Sequence, residues 1–202
     1  MQLPARLDPH ALHELRLLEQ VARSPRLNNR TASQVLGVSV KLAHEVLKKM
    51  VVKGLVHVHR LHARRWDYFL TPAGLSEKAR LTMEFLDFSL QFYREARRRS
   101  AALCRALAEQ GHREVAILGA GDLAEITYLG IQEWQLHLVR VYDNTDRKQL
   151  FHAPVLPVAA MAQDESDAII VCVYDATVPL QERYLPGEIP VRANMHWIFG
   201  DR

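Results

Sequence analysis

Cysteine is scarce in this sequence. Only Cys104 and Cys172 occur, and no Cys-x-x-Cys pair is present, so neither a disulfide framework nor a cysteine-based zinc site is expected. No apolar run approaches the length of a membrane span, and the N-terminus turns polar within a few residues, unlike a signal peptide. These absences predict a soluble cytoplasmic protein without membrane association.

A recognisable catalytic set is missing as well. Short-chain dehydrogenases place a lysine four residues after a tyrosine, because this pair relays protons near the nicotinamide. No tyrosine here has a lysine at that spacing, and Lys148 is the only lysine after Lys78. His57, His59 and His62 are close in sequence but lack acid or cysteine partners at metal-ligand spacing. We therefore predict no catalytic residue and no metal ligand.

Charge is distributed unevenly along the chain, although its net value is only +3. Residues 1–100 carry 18 Lys and Arg against 9 Asp and Glu, whereas residues 101–202 carry 8 against 14. Because phosphate neutralisation drives nucleic-acid affinity, the basic half fits a polyanion. The reversal of charge predicts two regions with different partners.

The most informative stretch runs from Thr31 to Leu55 and has the pattern of two short helices joined by a tight turn. Thr31, with Gln34 three residues later, predicts a capping box at the start of the first helix. Gly37 stands where a helix ends in a left-handed residue, and Ser39 is placed to cap the second helix. This spacing predicts a helix-turn-helix.

A helix is also expected before this pair. Asp8 is a good N-cap, and Pro9 suits the first helical position. The apolar face of this helix is predicted at Leu12, Leu15, Leu18 and Ala22.

The second helix of the pair has two distinct faces. Its apolar positions recur at helical spacing, at Ala43, Val46, Leu47 and Met50. The opposite face is polar and mostly cationic, with Lys41, His44, Glu45 and Lys48. A helix-turn-helix presents its recognition helix to the DNA major groove in this way, whereas a plain helical hairpin with a solvated charged face is the alternative.

Two β-type runs follow Gly54 and predict a hairpin with a basic tip. Val56 and Val58 alternate with histidines in the first run, and Trp66, Tyr68 and Leu70 share one face of the second. The tip of such a wing reaches phosphates or a minor groove. The predicted DNA contacts of the helix pair and the wing are Arg30, Thr31, Ser39, Lys41, His44, Glu45, Lys48, Arg60, Arg64 and Arg65.

At this point the chain resembles the winged helix-turn-helix regulators of the MarR type, most closely those associated with exopolysaccharide gene clusters. The segment Leu70-Thr71-Pro72-Ala73-Gly74 looks like the Leu-Thr-Pro-x-Gly exit from the wing of that family. The resemblance covers roughly the first half of the chain. It implies a DNA-binding winged helix, although some winged helices bind only protein.

A long helical stretch is predicted from about Ala73 to Gln110, and Gly111 is expected to end it. Apolar side chains recur along it at spacings of four and three, at Leu81, Phe85, Phe88, Phe92 and Ala96. We expect Phe85, Phe88 and Phe92 to form a dimer interface, because winged-helix regulators usually bind two half-sites. The alternative is that the stripe packs against the second domain of its own chain.

A second domain opens with the apolar run 114–118, followed by a glycine turn and a helical stretch through Trp134. Strand, glycine turn and helix in this order begin a dinucleotide-binding βαβ unit. Gly119 permits the tight turn, Gly121 lets a phosphate approach the backbone, and Ala124 allows the helix to pack closely on the strand. The start of the helix supplies free amides for a phosphate.

A second strand over 136–142 ends at Asp143, at the spacing where an acid accepts hydrogen bonds from ribose hydroxyls. A third strand is expected over 168–173, and a shorter one near Val191 or over 196–199. Four or five strands make a small Rossmann-like domain. The predicted nucleotide contacts are Gly119, Ala120, Gly121, Asp122, Leu123, Asp143 and Asn144.

Two resemblances bear on this half. In architecture the chain is similar to the redox-sensing repressors of the Rex family, in which a winged helix precedes an NAD(H)-binding Rossmann domain. It departs from them at Ala124-Glu125, where Rex proteins carry a further glycine. The segments 119–125, 141–144 and 153–156 look more like CoA-binding-type Rossmann domains of polysaccharide and nucleotide-sugar enzymes. That likeness implies a nucleotide-sugar or similar nucleotide ligand, and a degenerate domain that only dimerises is the alternative.

In chain order, the sequence predicts an α/β protein with three parts. These are a winged helix-turn-helix DNA-binding domain over 1–72, a connecting and dimerisation helix over 73–110, and a small Rossmann-like domain with a parallel sheet over 111–202. The predicted function is a homodimeric transcriptional regulator that binds double-stranded DNA and senses a nucleotide-type metabolite. One alternative is a small oxidoreductase or sugar-nucleotide enzyme with an accessory winged helix, and another is an interaction scaffold.

Overall fold

A computed structural model describes residues 8–24, 26–62, 65–174, 183–187 and 189–199. The chain divides into two compact units, one ending at Leu90 and the other beginning at Gln91. The first combines helices with a two-stranded sheet, and the second is built on a mostly parallel sheet, so the predicted α/β class is confirmed. Within these residues, no helix has the length and apolarity needed to cross a membrane.

The first unit contains three helices followed by an antiparallel hairpin. The helices are α1 (Pro9–Arg23), α2 (Asn29–Leu36) and α3 (Val40–Val52). Strands β1 (Val56–His62) and β2 (Arg65–Leu70) pair with Val56 opposite Leu70, and a bridge from Arg26 to Asp67 adds a short third partner. Three helices and a hairpin in this order form a winged helix-turn-helix, as predicted.

Three of the four caps predicted for the first three helices are confirmed. The Asp8 side chain accepts a hydrogen bond from the His10 amide, and Ser39 Oγ accepts one from the Leu42 amide at 3.3 Å. Gly37 ends α2 with a left-handed φ of 66°. The capping box at Thr31 is wrong: Asn28 caps α2, and its Oδ1 accepts from the Thr31 amide at 2.9 Å. Asparagine ranks among the best N-caps, so the helix starts earlier and takes Thr31 into its first turn.

The inward face of α3 is the predicted one, because Ala43, Val46, Leu47 and Met50 are all buried. The predicted face of α1 is only partly right. Leu15 and Leu18 are buried, but Ala22 is exposed, and Leu17 with Val21 completes the buried set. The larger side chains Leu17 and Val21 remove more apolar area from water than Ala22 would, so the helix turns that edge toward the core.

The exit from the wing has a clear structural reason for each residue type. Thr71 Oγ1 donates to the Gly54 carbonyl at 2.6 Å and accepts from the Gly74 amide at 2.9 Å. Pro72 then begins helix α4 (Pro72–Glu109). A Cβ at Gly74 would lie 1.9 Å from the Leu55 carbonyl oxygen, so only glycine fits there. The helix ends before Gly111, whose φ is 90°, as predicted.

Helix α4 contributes to both units, because the division between them falls at Leu90. Leu81 lies in the core of the first unit. Phe92 packs on the core of the second, where its ring centroid is 5.5 Å from that of Tyr174 and 5.8 Å from that of Phe199. One side of the Phe92 ring is therefore covered within its own unit, while the residue stays partly exposed, and its role in a dimer interface stays a prediction. Phe85 is 39% exposed.

The second unit is a six-stranded sheet in the order β5-β6-β4-β3-β7-β8. Its strands are β3 (Glu114–Leu118), β4 (His137–Tyr142), β5 (Gln149–Leu150), β6 (Ala153–Leu156), β7 (Ala168–Val171) and β8 (Met195–Trp197). All adjacent pairs are parallel except β5 with β6. Helix α5 (Asp122–Glu133) connects β3 to β4, and a 3₁₀ helix over Val158–Gln163 connects β6 to β7.

The parallel strands follow the doubly wound order 3-2-1-4-5, with β3 first and central. Both β3 and β7 are almost entirely buried, which is why they read as continuous apolar runs. The predicted strands at 114–118, 136–142 and 168–173 are confirmed, and the shorter strand lies at β8 rather than at the exposed Val191. Strands β5 and β6 were not predicted, because two to four residues carry too little periodicity.

Candidate functional site

The outward face of α3 presents the cationic surface that the sequence predicts. Lys41, His44, Glu45 and Lys48 are all exposed. The next residue, Lys49, is also exposed and extends this surface, although the sequence reasoning did not include it. Within the described part of the chain, these three lysines form no ion pair with an acid. Their charges are therefore available to phosphates.

Some of the predicted DNA contacts form hydrogen bonds that stabilise the starts of α2 and α3. The hydroxyl of Ser39 caps α3, and that of Thr31 donates to Asn28 Oδ1 at 3.3 Å. Arg30 is exposed in the first turn of α2, and His44 Nδ1 lies 3.4 Å from Asn29 Oδ1. Arg30 and His44 therefore present their side chains outward, whereas Ser39 contributes mainly by fixing the start of α3.

The wing is formed, but its basic tip is described only in part. Arg60 and Arg65 belong to the paired strands, and their side chains lie outside the described atoms, as does the whole of Arg64. His57 and His59 are exposed on β1. On β2, Tyr68 and Leu70 pack on the core as expected, whereas Trp66, nearer the tip, is 48% exposed.

In the second unit, the turn between β3 and α5 uses its two glycines differently. Gly119 has φ of 101°, and a Cβ there would lie 2.7 Å from Val173 Cγ1. Gly121 has φ of −93°, and a Cβ there would meet nothing within 4 Å. Gly119 is thus required by the fold, whereas Gly121 faces open space. Ala124 is fully buried, as its predicted packing role requires.

Free backbone amides lie at the start of α5. Within the described residues, no acceptor contacts the amides of Gly121, Asp122 and Leu123, while Ala124 and Glu125 donate to the Gly121 carbonyl. A helix start with open amides and a positive dipole end is suited to a phosphate. The carboxylates of Asp122 and Glu125 stand in the same first turn and add negative charge nearby.

Asp143 lies beside this turn, as its spacing predicts. Its carboxylate accepts from the Ala120 amide at 2.6 Å and from the Thr145 amide at 3.0 Å. Each oxygen keeps a further lone pair, so the group still has capacity for a ribose hydroxyl. Asn144 Oδ1 accepts from the Val158 amide at 3.1 Å. The two side chains therefore fix the loop that follows β4.

Sequence reasoning missed Arg147. Its Nη1 lies 3.2 Å from the Ala120 carbonyl oxygen and 3.6 Å from Glu125 Oε1, so the guanidinium lies against the glycine turn. The available signal was the pair Arg147-Lys148 shortly after the acid that ends β4. Both side chains line a cavity of about 360 Å³ between that loop and the end of β6. The cavity lining is completed by Asp143, Asn144, Thr145, Asp146, Val155, Leu156 and Pro157.

Both cysteines of this unit are buried. Burial raises the pKa of Cys104 and of Cys172 to about 12, so both thiols stay protonated at neutral pH. Burial and the hydrogen bond to Asp164 raise the pKa of Tyr142 to about 12. Across the residues described, no group of three His, Cys, Asp or Glu side chains is arranged to hold a metal ion.

Comparison with known proteins gives structural likenesses only. No protein-family model matches the chain, and no curated protein matches it. The chain is similar to the PcaV transcriptional regulator from Streptomyces coelicolor, at 23% identity over 38% of this chain and 58% of PcaV, with a TM-score of 0.35. It thus spans a little over half the length of that protein.

Two further likenesses cover more of the chain. RSP, a Rex-family repressor solved in complex with NAD⁺ and operator DNA, is 15% identical over 96% of this chain and 86% of its own, with a TM-score of 0.31. Human N-acetylserotonin methyltransferase in complex with SAM is 15% identical over 81% of this chain and 65% of its own, with a TM-score of 0.30. Similarity at this level does not establish a shared function.

Proposed function

We propose that this protein is a transcriptional regulator that binds duplex DNA through α3 and the wing and senses a nucleotide-type metabolite at the β3–α5 turn. The DNA-binding part of this proposal rests on the outward face of α3. It presents lysines that form no ion pair with the described residues, on a helix whose opposite face is buried, and a β-hairpin follows it. This is the arrangement by which a recognition helix enters a major groove.

The ligand half is supported by the turn at Gly119–Leu123. Gly121 leaves space beside open amides, and Asp143 stands within hydrogen-bond distance of the same turn. The cavity of about 360 Å³ next to it is large enough for one base or ribose rather than for a whole dinucleotide. A nucleotide phosphate on the amides with its ribose toward Asp143 fits this geometry.

The protein is proposed to act as a homodimer through an apolar stripe on α4. Met83, Leu86 and Leu90 recur at spacings of three and four within the first unit and are 46–58% exposed. This heptad pattern is that of a helix pairing with another helix. Half-exposed side chains at this density are an aggregation liability unless a second copy covers them. The stripe lies beside the predicted one, since one side of the Phe92 ring is covered within its own unit.

The DNA half is tested by salt-dependent binding to DNA selected from genomic fragments. Replacing Lys41 and Lys48 by Ala should weaken binding at physiological salt about tenfold or more and reduce the salt slope by about 2, because two phosphate contacts are lost. Arg113→Ala is the matched control. It removes one exposed positive charge from the second unit and should leave the slope unchanged. Equal slopes in all three proteins would refute the proposed DNA surface.

A further inference from the structure

The cavity beside Asp143 has a fixed rim rather than a loose one. The loop 143–148 is tied at both ends, because the Asp143 amide donates to the Leu156 carbonyl at 2.9 Å and the Lys148 carbonyl accepts from the Val155 amide at 3.0 Å. Within the loop, Asn144 Oδ1 accepts from the Val158 amide. Such a rim holds its side chains near a ligand without a large ordering cost.

Two cations stand on this rim. Arg147 is anchored at the Ala120 carbonyl, while Lys148 makes no ion pair within the described part of the chain. Of the two acids in the lining, Asp143 already accepts two backbone hydrogen bonds, and Asp146 is exposed. The two cations therefore line the same cavity as Asp143, Val155 and Leu156.

A ribose with only hydroxyl groups needs acceptors, not cations, at this position. In Rossmann domains an acid after the second strand binds a free ribose hydroxyl, whereas an arginine nearby accommodates a phosphate on the ribose. Phosphate pairs with guanidinium and ammonium groups through charge-assisted hydrogen bonds, which are stronger than neutral ones.

We propose that the nucleotide ligand carries an additional phosphate on its ribose, at the 2′ or 3′ oxygen, and that Arg147 and Lys148 bind this phosphate. This inference rests on the proposed function, because it places the nucleotide at the β3–α5 turn. It narrows the ligand class to nucleotides with a phosphorylated ribose and separates them from NAD(H) and UDP-sugars, whose ribose hydroxyls are free.

The test compares matched nucleotides by isothermal titration calorimetry on the full-length protein. The probes are AMP, adenosine 2′,5′-bisphosphate and adenosine 3′,5′-bisphosphate, which differ only in the ribose phosphate. One of the two bisphosphates should bind about 10–100-fold more tightly than AMP, and which one does so identifies the phosphorylated oxygen. Equal affinity of all three probes would overturn the inference while leaving the proposed nucleotide site intact. No binding of any probe would overturn the ligand half of the proposed function together with this inference.

Substitutions at Arg147 and Lys148 test whether these two residues cause the preference for a bisphosphate. Arg147→Gln combined with Lys148→Gln should reduce the affinity ratio of the preferred bisphosphate over AMP to within about threefold. Lys148→Gln alone should reduce the ratio without changing the melting temperature, because the Lys148 side chain forms no ion pair or hydrogen bond with the residues that the structure describes. Asp146→Asn should increase the ratio by removing a like charge, and Arg113→Gln, on the same unit, should leave it unchanged. A ratio that survives in the double variant would refute the role of both residues.

Discussion

The two glycines of the β3–α5 turn give a sharp test of the fold around the nucleotide site. In Gly119→Ala, the new Cβ would lie 2.7 Å from Val173 Cγ1 and 3.0 Å from the Cys172 carbonyl oxygen, at a φ of 101°. The positive φ costs about 1–2 kcal/mol for a residue with a Cβ. Overpacking against the end of β7 adds about 1–3 kcal/mol. We therefore expect Gly119→Ala to lower the free energy of unfolding by about 2–5 kcal/mol.

Gly121→Ala is the matched variant at the same turn. Its φ of −93° is allowed for any residue, and its Cβ would enter open space. Loss of the N-cap glycine destabilises the folded protein, whereas the lower entropy of the unfolded chain stabilises it. The free energy of unfolding should therefore change by no more than about 1 kcal/mol. Gly121→Val should also fold, but its branched side chain would occupy the space into which a phosphate must move, so AMP binding should be lost.

The assay is urea denaturation followed by tryptophan fluorescence. Trp134 and Trp197 report on the second unit, and a Trp66→Phe background removes the signal of the first. Gly119→Ala should lower the urea midpoint by about 1 M or more, whereas Gly121→Ala should leave it close to the wild-type value. Similar midpoints for both variants would refute the assignment of a structural role to Gly119 and an open one to Gly121.

Two further predictions concern α4. Leu86→Asp, at the centre of the exposed stripe, should convert a dimer to a monomer in light scattering with an unchanged circular dichroism spectrum, and a wild-type monomer at micromolar concentration would contradict the dimer. Hydrogen bonds from Arg98 and Arg99 lower the pKa of Glu95 from 4.5 to about 2. Because the folded pKa is depressed, Glu95 stabilises the protein above about pH 4.5, and this contribution is lost as the pH falls toward 2. Glu95→Gln should flatten the dependence of stability on pH in that window, and an unchanged dependence would show that the ion pairs contribute nothing.

Local sequence signals predicted the parts of the fold that depend on short-range physics. Glycine readily adopts the left-handed φ that ends a helix, and the serine hydroxyl is a good N-cap. The end of α2 at Gly37 and the start of α3 after Ser39 could therefore be predicted from the sequence. The buried face of α3 was equally clear, because four apolar residues recur at helical spacing within one helix. The glycine turn and Asp143 were found because their spacing is set by one strand and one helix.

Sequence reasoning fell short where competing residues or distant contacts decide the outcome. Asn28 and Thr31 are both good caps, and the sequence does not say which one wins. Phe92 belongs to an apolar stripe whichever partner covers it, and only the tertiary structure shows Tyr174 and Phe199 against its ring. Arg147 carries no motif, and its place at the glycine turn depends on how the loop after β4 folds back.

Coupling between the two proposed sites is the central claim, and titration of operator DNA with and without ligand tests it most directly. Fluorescence anisotropy would measure the affinity for a selected operator in the presence and absence of saturating nucleotide, at one salt concentration. The ligand should change this affinity by about 5–150-fold, and by reciprocity the operator should change the ligand affinity by the same factor. Identical DNA affinities in both titrations, with both sites occupied, would show that the second unit binds its nucleotide without regulating DNA binding.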